Sequence, residues 1–269
     1  MRPERRCGLD RAAQLLARAR LDVAVIPEIP ADIRPVDLAE AYHVSDRLAE
    51  ELGWEIGGWY CAATNTSIQR LLNLEEPYCG RLFESLIFSS PAVLDPASFP
   101  PMMVEMEVAF RLGADLPARR APYTRDEVAD AVSHVAGSIE IVAGHLDDWM
   151  TQDAYSVIAD NGTDGALVVG PEHGDWQSFD LAAVEVQVTR NGVVERRGAA
   201  TNVLGDPLNA MTWLANARAG RGDGLRSGHI HNTGTLTSPL AVAPGDVLVA
   251  DFGVLGDVRL ELESQEGAR

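Results

Sequence analysis

The stretch Pro101-Met-Met-Val-Glu-Met-Glu-Val-Ala-Phe-Arg111 alternates with the period of a β-strand. Met102, Val104, Met106, Val108 and Phe110 fall on one face and suit a core, while Glu105 and Glu107 fall side by side on the other. Two carboxylates at i and i+2 repel each other, and they lose hydration if anything covers them. Two arrangements satisfy that pattern. One is a solvent-facing strand carrying two charges. The other is a pair of ligands for a hard divalent cation, Mg²⁺ or Mn²⁺, which takes oxygen donors.

Upstream of this strand the chain reads as helical. Residues 8–20 are rich in Ala, Leu and Arg, all good helix formers. After Pro27 and Pro30, a second helix is expected over about 35–52, with Pro35 in its first turn and Gly53 beyond its end. Gly57–Asn65 reads as a short strand leading into a loop, and a third helix follows over about 66–73. Downstream the character changes. Thr124-Arg-Asp-Glu127 is a capping box that opens a helix expected to reach Ala136, where Gly137 breaks it. Ser138–Val142 is a strand with Glu140 opposite the Ile139 and Ile141 face. Val184, Val186 and Val188 alternate toward Asn191-Gly192, a hairpin turn. Asp206-Pro207 caps a helix over 207–219 that ends at Gly220, and strands near 229–234, 246–252 and 257–262 follow. The order gives an α+β fold: a small helical N-terminal region, residues 1–80, and a mixed, mainly antiparallel β-rich body, residues 81–269.

Composition narrows the function. With 269 residues, 46% of them hydrophobic, the chain can bury a sizeable core. A net charge of −18 argues against nucleic acid and anionic membranes as partners. No apolar run is long enough to span a bilayer, and no apolar signal core follows the charged N-terminus. The three cysteines, Cys7, Cys61 and Cys79, lack zinc-site spacing and suit a reducing cytoplasm. All 22 basic residues are arginine. Without a lysine there is no Schiff-base chemistry and no lysine general base.

A family resemblance rests on several short segments taken in order. They are Arg34–Tyr42, Glu76-Pro-Tyr-Cys-Gly-Arg-Leu-Phe83, Glu105-Met-Glu107, Ile139-Glu-Ile-Val142 and Ile158-Ala-Asp-Asn161. Gly205-Asp-Pro-Leu-Asn-Ala210 with Trp213-Leu-Ala215, and Thr233-Gly-Thr235, complete the set. Across nearly its full length the chain resembles the 2-keto-4-pentenoate hydratase/oxalocrotonate decarboxylase group of the fumarylacetoacetate hydrolase superfamily. The resemblance implies a β-rich body whose sheets roll around the active site, Mg²⁺ or Mn²⁺ held by Glu105, Glu107 and Glu140, and a homo-oligomer, a dimer or larger. It also implies a lyase acting on a 2-oxo acid or related enolisable small molecule, by hydration or decarboxylation through an enolate. Isomerisation, ring closure and C–C hydrolysis pass through a related enolate. A non-catalytic oligomeric partner or a small-molecule binder on the same fold are the readings from other classes.

The chain also departs from the family. The family's Gly-Trp-Lys, whose lysine is an acid/base, is Gly58-Trp59-Tyr60 here, and Glu55 in the rival alignment is not lysine either. Ser45 stands where the family has glutamine, and Ala143 and His229 where it often has aspartate. Tyr60 is therefore the candidate proton donor, with a neutral phenol at neutral pH, or else an aromatic packed beside Trp59. His145, His229 and His231 are candidate bases by their ordinary pKa, or structural histidines. Thr233, Gly234 and Thr235 offer backbone and hydroxyl donors to a substrate carboxylate, or simply end a strand.

Overall fold

A computed structural model describes residues 1–264. In chain order its elements are α1 (Pro3–Leu21), α2 (Leu38–Leu52), β1 (Ile56–Ala62), α3 (Thr66–Leu72), β2 (Tyr78–Phe83), β3 (Ile87–Ser89), β4 (Ala92–Leu94) and β5 (Met103–Leu112). Then come α4 (Arg125–Ala131), β6 (Val132–Val142), α5 (Ala154–Ala159), β7 (Asp164–Val169), β8 (Glu185–Arg190), β9 (Val193–Ala199) and α6 (Pro207–Arg221). β10 (Ile230–Thr235), β11 (Leu240–Ala241), β12 (Val247–Asp251) and β13 (Asp257–Leu262) follow. Among the described residues no helix is long and apolar enough to cross a membrane.

The larger sheet runs β2-β1-β10-β5-β6-β7-β3, with β11 on β5. Its pairs are antiparallel except β1–β10 and β3–β7. Its ends curl until β2 meets β7. Asn161 fastens that closure: its side chain accepts from Arg81 N and donates to Arg81 O, both at 2.9 Å. The second sheet, β4-β13-β12-β8-β9, covers the outer face of β5 and β6. Val104, Met106, Val108, Phe110, Ile139 and Ile141 meet Val186, Val188, Leu248, Phe252 and Leu260 there in one core. Gly137 lies in that contact, where a Cβ would stand 2.5 Å from the Phe252 ring. A smaller core joins α1, α2 and α5 through Leu9, Leu16, Ile33, Val44, Leu48 and Ala159.

Local differences from the expected elements have clear causes. α2 begins at Leu38 because the Asp37 side chain accepts from Glu40 N at 2.8 Å, and Pro35 stays outside. The capping box at Thr124 and Glu127 forms, but α4 ends at Ala131. Val132–Gly137 instead extends β6, because Val135 and Ala136 pair with Phe110 and Ala109 of β5. β-Branched Val132 and Val135 suit that strand. α6 runs through Gly220 to Arg221 and stops at Gly222, whose φ is +94°. The Asn191-Gly192 turn forms with φ of +53° and +81°, as a mirror-image hairpin turn requires. The expected boundary at residue 80 falls inside β2, since β1 and β2 belong to the larger sheet.

Candidate metal centre

Register decides what faces the interior of the rolled sheet. Glu105 pairs with Glu140 and Glu107 with Ser138 across β5–β6. Opposed residues of an antiparallel pair share a face, so Glu105, Glu107, Ser138 and Glu140 all point inward. Asn232 opposes Ala109, and Tyr60 opposes Asn232 on one side and Gly80 on the other. Both belong to the same interior. The three glutamates each offer an oxygen within 4.8 Å of the others. Glu107 and Glu140 are buried, whereas Glu105 keeps part of its surface open. Glu105 therefore marks the mouth of the site.

Two neighbours orient the carboxylates. Gly234 N donates to Glu107 Oε2 at 2.6 Å. Ser138 Oγ donates to Asn232 Oδ1 at 2.7 Å, and Asn232 Nδ2 donates to Glu140 Oε2 at 3.4 Å. Gly234 can do this because its φ is +101°, and a Cβ there would lie 2.1 Å from Thr64 Oγ1.

The electrostatics disfavour three bare carboxylates at this place. Burial, with the Glu140 charge added, pushes Glu105 up to about 8. Burial, then Glu140 and Glu105, holds Glu107 well above the usual carboxylate range, against the pull of the Gly234 amide. Burial, with Asp164 adding to it, pushes Glu140 up to about 7. The nearby buried cation, Arg20 of α1, is already engaged: Nη1 lies 2.7 Å from Asp164 Oδ1 and Nη2 3.4 Å from Asp160 Oδ1. Three crowded oxygen donors with no counter-charge among the described residues fit a hard divalent ion.

The other expected site residues fall in different places. The Tyr60 hydroxyl donates to Asn161 O, and burial, then Tyr78 and Asp164, keeps the phenol neutral by raising its pKa well above the ordinary value. A phenol has one proton to give, and Asn161 receives it. Thr233 turns outward, its Oγ1 donating to Val108 O at 2.7 Å, and Thr235 Oγ1 donates to Thr237 O at 2.9 Å. Of that segment, the backbone of Gly234 meets the carboxylates. His145 lies in the seam with the N-terminal region, its Nδ1 2.9 Å from Ala24 O. Desolvation, then Arg20, lowers its pKa to about 4. His229 sits beside Leu112, whose amide donates to its carbonyl at 3.1 Å. That is five residues along β5 from Glu107, roughly 17 Å at the rise of a strand. His231 occupies the outer face, its Nδ1 accepting from Trp59 N at 3.2 Å. None of these three histidines joins the carboxylate cluster.

Three of the four departures from the family pattern meet at one turn. Tyr60 bonds Asn161 O, Ser45 Oγ lies 3.5 Å from Asn161 Oδ1, and Ala143 N donates to Thr163 O at 2.9 Å. His229 is the exception. Sequence reasoning missed Asn232, Ser138, Asn161 and Arg20. Asn232 could have been noticed as a polar residue at an alternate position of an apolar strand. Arg20 gave no signal, because it meets partners 140 and 144 residues away.

The Fumarylacetoacetate (FAA) hydrolase C-terminal model matches residues 62–263. A 2-keto-4-pentenoate hydratase of Paraburkholderia xenovorans is 30% identical over 269 residues, spanning 99% of this chain and 98% of its own length. A 4-oxalocrotonate decarboxylase of Pseudomonas putida is 28% identical, spanning 91% of this chain and 93% of its own. A crystal structure of the 4-oxalocrotonate decarboxylase of Pseudomonas putida G7, complexed with magnesium and adipate, superimposes with a TM-score of 0.87. It has 26% identity and covers 94% of this chain and 97% of that one. The same enzyme has also been solved with calcium and acetate. Hydratases and decarboxylases of this kind are lyases, and the chain belongs to the fumarylacetoacetate hydrolase family as a lyase-type enzyme of that hydratase and decarboxylase group.

Proposed function

We propose that the chain is a divalent-cation-dependent lyase acting on a 2-oxo acid or equivalent enolisable dicarbonyl, by hydration or decarboxylation. The observation that carries this reading is the cluster of Glu105, Glu107 and Glu140, gathered on the interior face with no counter-charge among the described residues. Mg²⁺ or Mn²⁺ held there would act as a Lewis acid toward the carboxylate and 2-oxo oxygens of such a substrate. The protein's own part is orientation. Gly234 N fixes Glu107, and the Ser138–Asn232 pair fixes Glu140. Glu105, at the mouth, is the ligand beside which substrate would arrive.

Tyr60 stands where the family has its lysine, and here it acts as a positioning group. Its neutral phenol holds the Asn161 turn against β1 and supplies no cationic acid. Substrate protonation and deprotonation therefore fall to groups other than an ammonium, and a simple 2-hydroxydienoate should be turned over slowly. The test is turnover of 2-hydroxypenta-2,4-dienoate and of 4-oxalocrotonate, followed by loss of ultraviolet absorbance with Mg²⁺, with Mn²⁺ and with EDTA. Cation-dependent consumption of either supports the reading. Turnover unaffected by EDTA, or none of either compound or of other 2-oxo acids, overturns it.

A further inference from the structure

Four tyrosines are buried: Tyr42, Tyr60, Tyr78 and Tyr123. Buried phenols nearly always place their hydroxyl in a hydrogen bond. Three of them obey. Tyr42 Oη accepts from Cys79 N at 3.1 Å, Tyr60 Oη donates to Asn161 O, and Tyr123 Oη donates to Pro117 O at 2.7 Å. Tyr78 is 6% exposed, its hydroxyl makes no hydrogen bond among the described residues, and the oxygen is not one of the fully buried unpartnered atoms, so it keeps some open surface.

Its position gives that freedom a direction. Tyr78 opposes Ala62 in the β1–β2 register, two residues from the Tyr60–Gly80 pair, so it shares the interior face with Tyr60. Its ring is held from behind by Gly162, where a Cβ would stand 2.7 Å from Tyr78 Cε2 and 2.3 Å from Tyr60 Oη. Gly162 has a φ of +68°, a conformation that resists a side chain. The ring thus cannot withdraw into the Asn161 turn. On that face Tyr60 pairs with Asn232, whose amide donates to Glu140 Oε2 at 3.4 Å, so the wall that carries the two phenols leads directly to the carboxylates.

We propose that Tyr78, and not Tyr60, is the phenol that meets the ligand bound at the Glu105–Glu107–Glu140 centre, donating a hydrogen bond to one of its oxygens. This rests on the proposed function, which supplies a cation and a chelating ligand at that centre. It assigns separate tasks to two tyrosines that stand close together. Tyr60 fastens the wall, and Tyr78 reads the ligand. It also sets a requirement on the substrate, an oxygen acceptor within reach of β2.

The test uses 3-fluorotyrosine-labelled protein and ¹⁹F NMR. The chain has five tyrosines, and each resonance can be assigned by a Tyr→Phe substitution. Mg²⁺ is added first, then 2-oxopentanoate, which carries both chelating oxygens and a short chain. The Tyr78 resonance should shift on addition of the 2-oxo acid while that of Tyr60 stays in place. In parallel calorimetry, Tyr78→Phe should keep the parent's Mg²⁺ affinity and lose about tenfold in 2-oxopentanoate affinity, the scale of one neutral hydrogen bond. If the parent binds Mg²⁺ and 2-oxopentanoate but the Tyr78 resonance does not move, the assignment to Tyr78 is wrong and the metal-lyase reading stands. If the parent binds no divalent cation, both fall. Should Tyr78→Phe fail to fold, the NMR response of the parent, with the remaining tyrosines assigned by their own substitutions, still decides.

Discussion

Replacing Glu140 by glutamine should make the metal-free protein more stable at alkaline pH, although it removes a proposed ligand. Glu140 titrates near 7 in the folded protein against 4.5 for the free side chain, chiefly because it is buried. Between those values the folded chain retains a proton that the unfolded chain has released. Stability therefore falls as pH rises through this window and levels off above it. At 1.36 kcal/mol per unit, a shift of that size costs about 3 kcal/mol at pH 8. Glutamine has no proton to lose, keeps the shape, and still offers an oxygen to Asn232 Nδ2. In EDTA at pH 8 the Glu140→Gln protein should melt higher by several degrees, at about 2–4 °C per kcal/mol for a chain near this size. At pH 4.5 the two proteins should converge. Mg²⁺ at about 1,000 times its dissociation constant should reverse the order at pH 8, since it adds about 4.1 kcal/mol to the form that binds it, more than the buried charge costs. Thermal melts by circular dichroism at the two pH values, with EDTA and with Mg²⁺, give the answer. A variant that melts at or below the parent in EDTA at pH 8 would refute the claim that these carboxylates are held against their own charge.

Glu105→Gln removes one ligand charge at the mouth and should weaken Mg²⁺ binding by more than about 100-fold with the fold intact, as calorimetry and circular dichroism would register. Unchanged Mg²⁺ affinity would remove Glu105 from the site. Tyr60→Phe leaves the Asn161 carbonyl without its donor and should cost about 1–3 kcal/mol in urea unfolding, with Mg²⁺ affinity preserved. A loss of Mg²⁺ affinity in that variant would instead place Tyr60 at the cation. The family resemblance carries assembly as a homo-oligomer, and light scattering at micromolar concentration should give at least twice the 29.0 kDa chain mass.

What could be read in the sequence was what depends on neighbours along the chain. The period-two alternation of residues 102–110 was visible, and it put Glu105 and Glu107 on one face before any pairing was known. The third carboxylate could be named only through resemblance. What brings it in is the Glu105–Glu140 pairing across β5 and β6, and cross-strand register is not written in either strand alone. The same limit explains the extended β6. The capping box marks where α4 starts but not where it stops: Gly137 is the next strong breaker, yet Val132 and Val135 favour a strand and Phe110 and Ala109 supply its partner. Histidine candidates drawn from an ordinary pKa were dispersed by tertiary structure to a seam, a strand end and an outer face. Asn161 and Arg20 are the extreme case. Each closes contacts between segments 80 or more residues apart; Asn161 stood in the family segment Ile158–Asn161 with no role attached, and Arg20 lies in no local pattern that marks it.

The absence of lysine also has a consequence for the order of binding. Arg20 is matched by Asp160 and Asp164, so it lends little net charge to the three glutamates. An ammonium at position 60 would have faced Asn232 on the interior and added a positive charge near them. The phenol adds none. Relative to the family pattern, the site therefore attracts a cation more strongly and an anionic acid less strongly. An acid arriving before the cation would meet carboxylates with nothing to offset them, at a mouth formed by Glu105. Binding should be ordered, cation first. Calorimetric titration of 2-oxopentanoate should give saturable binding to the Mg²⁺-loaded protein and none in EDTA. Saturable binding in EDTA with comparable affinity would mean that some other positive group receives the acid, and the charge argument for this site would fail.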